Sequence, residues 1–167
     1  GDPRWSPDGS KIAFSWNHAG NFDIWVMDDD DGKNKVQLTT DPAADLLPSW
    51  SPDGKRILFI SNRSGRWGLW VMESNGENKI RINTPVEVVY AEWSPDGRRI
   101  AFNSVYSGHT DVWVMDDNGS NKVRLTEDAH FAAQPLWSPD GKKLALFGRF
   151  NLSDPFGIWI IDIDGIK

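Results

Sequence analysis

Apolar residues fall in short runs along this chain, and each run is closed by a cluster of turn formers. Lys11-Ile12-Ala13-Phe14, Arg56-Ile57-Leu58-Phe59, Arg99-Ile100-Ala101-Phe102 and Lys143-Leu144-Ala145-Leu146-Phe147 make one series. Ile24-Trp25-Val26-Met27, Leu69-Trp70-Val71-Met72, Val112-Trp113-Val114-Met115 and Ile158-Trp159-Ile160-Ile161 make a second. Runs this short, evenly spaced and rich in β-branched and aromatic side chains predict strands, and no stretch sustains a helical period.

A pentapeptide sets the spacing. Trp-Ser-Pro-Asp-Gly stands at Trp5–Gly9, Trp50–Gly54, Trp93–Gly97 and Trp137–Gly141, so successive tryptophans are 45, 43 and 44 residues apart. A period in that range marks a repeat architecture with one supersecondary unit per repeat. Each repeat reads as a strand ending at the motif Trp, a turn, a second strand ending at the Phe, a loop, and a third strand carrying the second Trp. A fourth strand is expected at Val36-Gln37-Leu38-Thr39, Ile80-Arg81-Ile82-Asn83 and Val123-Arg124-Leu125-Thr126. In the Ser-Pro-Asp-Gly turn, proline presets the backbone and glycine accepts the left-handed conformation that follows. Asp31-Gly32, Asn75-Gly76, Asn118-Gly119 and Asp164-Gly165 are the hairpin signals between strands three and four.

Four antiparallel strands per repeat, repeated radially, make the blade of a β-propeller. The expected fold is therefore all-β, a single propeller unit over 1–167 with blades at about 3–40, 47–84, 90–127 and 134–167. The succession Trp-Ser-Pro-Asp-Gly, Lys/Arg-x-Ile-x-Phe, Ile/Val-Trp-Val-Met-Asp resembles the WD-like blades of the TolB family, which also occur in the propellers of prolyl-oligopeptidase-type peptidases. The resemblance covers essentially the whole chain. It implies a binding platform, lid or scaffold rather than one activity, and an extracytoplasmic location, periplasmic or extracellular.

The last repeat stops at Gly165-Ile166-Lys167 without a Val-Arg-Leu-Thr strand, and no such strand precedes Asp2-Pro3-Arg4-Trp5. Fifteen strands are thus expected, with blade four incomplete and closure of a ring by a lent strand unavailable within the chain. Uncovered faces on blades one and four would be apolar patches too large for a monomer. The expectation is association of the chain with itself, as a ring or head to tail, or a place within a longer propeller. Starting at Gly1 rather than Met, the chain reads as a mature, trimmed or excised piece.

Composition then narrows the chemistry. With 18 Lys plus Arg against 24 Asp plus Glu, the net charge of −6 repels phosphate backbones, so nucleic acid is not an expected partner. The absence of cysteine removes disulfides, thiolate nucleophiles and thiolate metal sites. No apolar run approaches the roughly 18 residues of a membrane span, so membrane insertion is not expected either. A serine hydrolase needs a Gly-x-Ser-x-Gly elbow leading into a helix, and neither is present, so no enzymatic activity and no cofactor are expected.

Metal binding is not expected. The three histidines lie in different repeats without partners at ligand spacing. The acidic turn Asp28-Asp29-Asp30-Asp31-Gly32 puts Met27 and Leu38 where a calcium loop requires carboxylates. Asp8, Asp53, Asp96 and Asp140 recur once per repeat and read as turn-holding rather than catalytic. Both tryptophan columns read as packing between blades.

Candidate recognition residues are those where the repeats disagree. The loops after strand two place His18, Arg63 and Tyr106 at one equivalent position and Asn21, Arg66 and His109 at another, with Trp67 beside them. The inter-blade loops add Leu46, Leu47, Tyr90, His130 and Phe131, along with Asp41, Asp45, Glu87, Val88 and Asp128. Mixed aromatic, charged and imidazole groups of this kind suit a rim that recognises a protein or a glycan. The expected function is a non-catalytic propeller that binds a protein or assembles with itself. Two other readings stand beside it: the gating propeller of a prolyl-oligopeptidase-type serine peptidase, and a purely structural subunit of a ring or filament. Asn62-Arg63-Ser64, Asn118-Gly119-Ser120 and Asn151-Leu152-Ser153 are compatible with glycosylation outside the cell.

Overall fold

A computed structural model describes every residue except Ala19, Asp30, Asp31, Ser107, Asp128, Ile166, Lys167 and the side chain of Tyr106. The described residues form fifteen strands in four antiparallel meanders. The first sheet is β1 (Arg4–Trp5), β2 (Lys11–Asn17), β3 (Phe22–Asp28) and β4 (Val36–Gln37). The second is β5 (Asp45–Trp50), β6 (Arg56–Ser61), β7 (Gly68–Glu73) and β8 (Ile80–Arg81). The third is β9 (Glu87–Trp93), β10 (Arg99–Tyr106), β11 (His109–Asp116) and β12 (Val123–Arg124). The fourth has three strands, β13 (Phe131–Trp137), β14 (Lys143–Arg149) and β15 (Gly157–Asp162). Two compact units divide the chain, Gly1–Asn83 and Thr84–Lys167, each holding two sheets.

The repeated turn folds through its own side chains. Gly9, Gly54, Gly97 and Gly141 all have φ near +70°, the conformation glycine alone adopts without strain (φ 72, 70, 70 and 69). Ser6 Oγ donates to Asp8 Oδ1 at 2.6 Å and accepts the Lys11 amide at 2.9 Å, and Asp8 also accepts the Ser10 amide at 3.1 Å. The same set recurs at Ser51, Ser94 and Ser138. The Ser6 hydroxyl, followed by the amide and hydroxyl of Ser10, holds the Asp8 carboxyl down to about 2. Asp53 and Asp140 are lowered mainly by Ser51 and Ser138; at Asp96 burial opposes the shift, but Ser94 keeps the group low.

Register places Phe14, Phe59 and Phe102 opposite Trp25, Trp70 and Trp113. In the fourth sheet Leu146 takes this place opposite Trp159, not Phe147, which pairs with Ile158. Strand side chains alternate with period two, so that one-residue offset puts Phe147 on the opposite face.

The fourth strands form ladders only two residues long. Beyond the ladder, Leu38 N donates to Ile24 O at 2.8 Å, and Thr39 Oγ1 accepts the Ile24 amide at 2.9 Å. In the third sheet Thr126 Oγ1 accepts the Val112 amide in the same way. Beneath each threonine lies a buried aspartate. Asp23 accepts from Gln37 and Thr39, and Asp111 from Arg124 and Thr126. The second and fourth sheets have Gly68 and Gly157 at that position. Those same two sheets carry proline bulges in their first strands, where Leu47 and Gln134 (both φ 54) precede Pro48 and Pro135 and the register shifts; β9 of the third sheet also shifts register, between Val88 and Tyr90, without a proline.

Each unit builds its core by applying one face of its leading sheet to the opposite face of the next. We call these the front and rear faces. In the first unit, Ala13, Ile24, Val26 and Leu38 on the front of the first sheet join Ile57, Phe59 and Met72 on the rear of the second, with Trp50 and Trp70 alongside. In the second unit, Ala101, Val112 and Val114 meet Trp137, Leu144 and Leu146. Within each unit the motif tryptophan of the following sheet packs as expected against the leading sheet, with Trp137 buried and Trp50 half-buried; Trp93 is also buried, and Trp5 is exposed. In the second column Trp25, Trp70 and Trp113 are half-buried and Trp159 is exposed.

Candidate functional site

The structure redistributes the expected recognition residues. Leu46 and Leu47 lie in β5, Tyr90 in β9, Phe131 in β13, and His109 opens β11, so these are strand residues rather than loop residues. β5, β9 and β13 reach well upstream of the motif Trp, and the bulges at Leu47 and Gln134 let Pro48 and Pro135 sit inside β5 and β13. Tyr106 ends β10, and its side chain, like the whole of Asp128, lies outside the described residues.

Two of the expected rim groups are committed to internal bonds. Arg63 donates to Asp45 Oδ2 at 2.6 Å, a fully buried carboxylate, and its guanidinium carbon lies 4.7 Å from the Trp70 ring centre and 5.4 Å from that of Phe59. Asn21 Nδ2 donates to the Asp41 and Ala43 carbonyls at 2.9 and 2.8 Å, bracing the segment that leads into β5. His18 is exposed but rests on Trp16, ring centres 4.5 Å apart, and meets Trp25 edge-on. Trp16 lies within β2, where the equivalent residues are Ser61, Ser104 and Gly148.

Arg66 is exposed and Trp67 half-buried at the tip of the β6–β7 hairpin. His109 and His130 meet edge to face at 5.7 Å. Phe131 packs edge-on against Phe156, which in turn stacks on Phe147 at 5.3 Å and lies under the Arg149 guanidinium. Among the described residues no three His, Asp or Glu side chains gather as a metal would require.

A series that sequence reasoning missed appears at the hairpin ends. Phe22, Trp67, Thr110 and Phe156 each stand three residues before the second-column Trp. Three of the four are aromatic, with Phe22 and Phe156 exposed. In the third sheet the partner of Thr110 across the hairpin is Val105, itself exposed. Blades one, three and four thus show solvent a large apolar side chain at their hairpin ends, and blade two a half-buried tryptophan. Counting back from the second Trp, instead of forward from the motif, would have found the series.

At the opposite end of the strands, within the first unit, a groove of about 650 Å³ runs between two repeated turns, lined among others by Asp8, Lys11, Trp50, Asp53 and Asn75. Its two carboxylates are occupied by the turn hydrogen bonds, Asp8 with Ser6 and Ser10, and Asp53 with Ser51 and Lys55.

Residues 1–91 match the family described as the TolB beta propeller domain. The chain belongs to that family. Its sheets are accordingly propeller blades, four-stranded and antiparallel, the last with three strands. Among solved structures, TolB from Acinetobacter baumannii is 28% identical with a TM-score of 0.83, covering 99% of this chain and 41% of that one. The Tol-Pal system protein TolB of Anaeromyxobacter dehalogenans (strain 2CP-C) is 47% identical over 45 residues, 27% of this chain and 10% of that protein. This TolB-family chain therefore spans well under half the length of these relatives. A puromycin-hydrolyzing peptidase of Mycobacterium tuberculosis shares the fold at 19% identity and a TM-score of 0.76, over 99% of this chain and 27% of its own.

Proposed function

We propose that this TolB-family chain is a non-catalytic recognition module that works outside the cytoplasm and takes a protein of a Tol-Pal-type system on the hairpin ends of its blades. The observation that carries this reading is the series Phe22, Trp67, Phe156, with Val105 standing in beside Thr110. Aromatic anchors held on a rigid sheet lose little conformational freedom on binding and supply most of an interface's energy. Arg66 and His109 add exposed polar groups beside them, suited to a rim. Arg63 and Asn21, engaged within the fold, drop out of the recognition set. The relatives named for the Tol-Pal system support the choice of partner class.

The test is titration of the chain against purified Tol and Pal proteins by interferometry, beside a variant carrying Phe22→Ser, Trp67→Ser and Phe156→Ser. Saturable binding that weakens at least tenfold in the variant, with its melting transition retained, is the expected result. No binding by the parent chain, or equal binding by the variant, overturns the proposal.

A further inference from the structure

Blades two and three place an arginine at the same point of the repeat. Arg81 and Arg124 stand directly opposite Trp70 and Trp113, each in its two-residue fourth strand. In blade three the guanidinium meets a carboxylate of the same blade: Arg124 Nη2 donates to Asp111 Oδ2 at 2.8 Å, and Thr126 donates to the other oxygen of this buried aspartate. Blade two keeps the arginine and loses both companions. Gly68 stands in the place of Asp111, and Asn83, exposed, in the place of Thr126.

The result is an arginine without a counterion. Among the described residues no hydrogen bond or ion pair engages Arg81, and its Nε is buried without a partner. A buried N–H left unpaired keeps its desolvation cost, and on a guanidinium that cost falls on a charge. Further cations surround Trp70: Arg63 covers its ring, and Lys79 stands two residues before Arg81. Burial, then the charge of Arg63, lowers the Lys79 ammonium below its ordinary value. The Asp45 carboxylate is already closed on Arg63. Room for another carboxylate lies over Gly68. A Cβ there would have Arg81 Nε at 3.3 Å and Nη2 at 3.5 Å as its nearest neighbours, with no backbone among the three nearest atoms. Only the far end of a flexible side chain has to give way.

We propose that Arg81, above Gly68, is a binding site for a carboxylate group, supplied from outside the chain where blade three supplies its own. The planar fork of arginine matches a carboxylate, and Arg124 shows the pairing this position accepts. A free small acid and an Asp or Glu side chain of a docked protein carry the same group. Gly68 adjoins Trp67 of the aromatic series, but the site does not require docking there and stands or falls apart from the proposed function.

The experiment follows the Arg81 Nε–H resonance by NMR at slightly acid pH, assigned by its loss in Arg81→Gln, while acetate replaces chloride at constant ionic strength. A saturable shift of that resonance, with Arg124 unmoved, is the expected result. A parallel titration with N-acetyl-aspartate methylamide separates the sources: a shift with both fits an acidic side chain, a shift with acetate alone fits a free small acid, and either supports the site. Gly68→Asp rebuilds the blade-three pair from within. It should weaken the acetate response at least tenfold and melt above Gly68→Asn, which has the same shape without the charge. Should either Gly68 variant fail to fold, the parent titration still decides. No shift of Arg81 in the parent, an equal shift of Arg124, or an undiminished acetate response in folded Gly68→Asp overturns the proposal.

Discussion

Arg63 closes a 2.6 Å ion pair on Asp45, eighteen residues earlier in the chain, while its guanidinium covers the Trp70 ring. Asp45 is fully buried and its Oδ1 has no hydrogen-bond partner among the described residues. Removing the arginine leaves an unpaired buried charge, so Arg63→Ala should cost about 3 kcal/mol in denaturant unfolding. Pairing it with Asp45→Ala should restore part of that loss, because the stranded charge goes too. A double variant less stable than Arg63→Ala alone would contradict this account.

The two ends of the motif column predict opposite outcomes for one substitution. Trp137→Ala opens a cavity in a packed core and should cost about 3–5 kcal/mol. Trp5→Ala, on an uncovered face, should cost under about 1 kcal/mol in the monomer. Urea titrations on both variants at low protein concentration check the contrast.

Gly148 is fixed by proximity rather than by backbone angle. A Cβ there would lie 2.3 Å from Phe131 O and 3.1 Å from Ala132 Cα, backbone atoms of the neighbouring strand that cannot step aside cheaply. Gly148→Ala should therefore destabilise by about 3 kcal/mol through overpacking. At Gly157, its register partner, a Cβ would meet nothing within 4 Å, and Gly157→Ala should be near neutral. Thermal melts that rank the two the other way would refute the packing argument.

Asp23 and the motif aspartates respond oppositely to pH. Burial, reinforced by the charge of Asp45, raises the Asp23 carboxyl above its ordinary value of 3.8 despite the bond from Thr39. The folded state then holds that proton more firmly than the unfolded one, so the contribution of Asp23 to stability falls as pH rises from about 3.8 through the raised value. The lowered turn aspartates contribute stability above 3.8 and lose it as pH drops through their depressed values. The parent chain should lose stability relative to Asp23→Asn on going from pH 3.5 to neutrality (on the order of the shift itself). Melting curves at stepped pH would show it.

The Trp-Ser-Pro-Asp-Gly period made the sheets, their turns and the missing strand legible, because strand alternation and turn chemistry are local. The Leu146 offset was hidden by its neighbour: Leu146 and Phe147 are both apolar, and only register tells which of them faces Trp159. Arg63 looked like a free rim group because its partner lies in a different strand of the blade, and pattern reading sees spacing, not the fold's return. Strand membership of Leu46, Leu47, Tyr90 and Phe131 was masked by proline and bulges within the first strands.

The buried aspartates and the proline bulges do not recur with every blade. Asp23 and Asp111 belong to blades one and three, while Leu47-Pro48 and Gln134-Pro135, with Gly68 and Gly157, belong to two and four. Trp5 and Trp93 are 88 residues apart, and Trp50 and Trp137 are 87. These features thus alternate with a period of two blades, a doublet in which an aspartate-clamped member is followed by one with a proline bulge. Segments exchanged with, or grafted from, related proteins should be cut at doublet boundaries, since a single blade moved by one place would meet a neighbour of the wrong type.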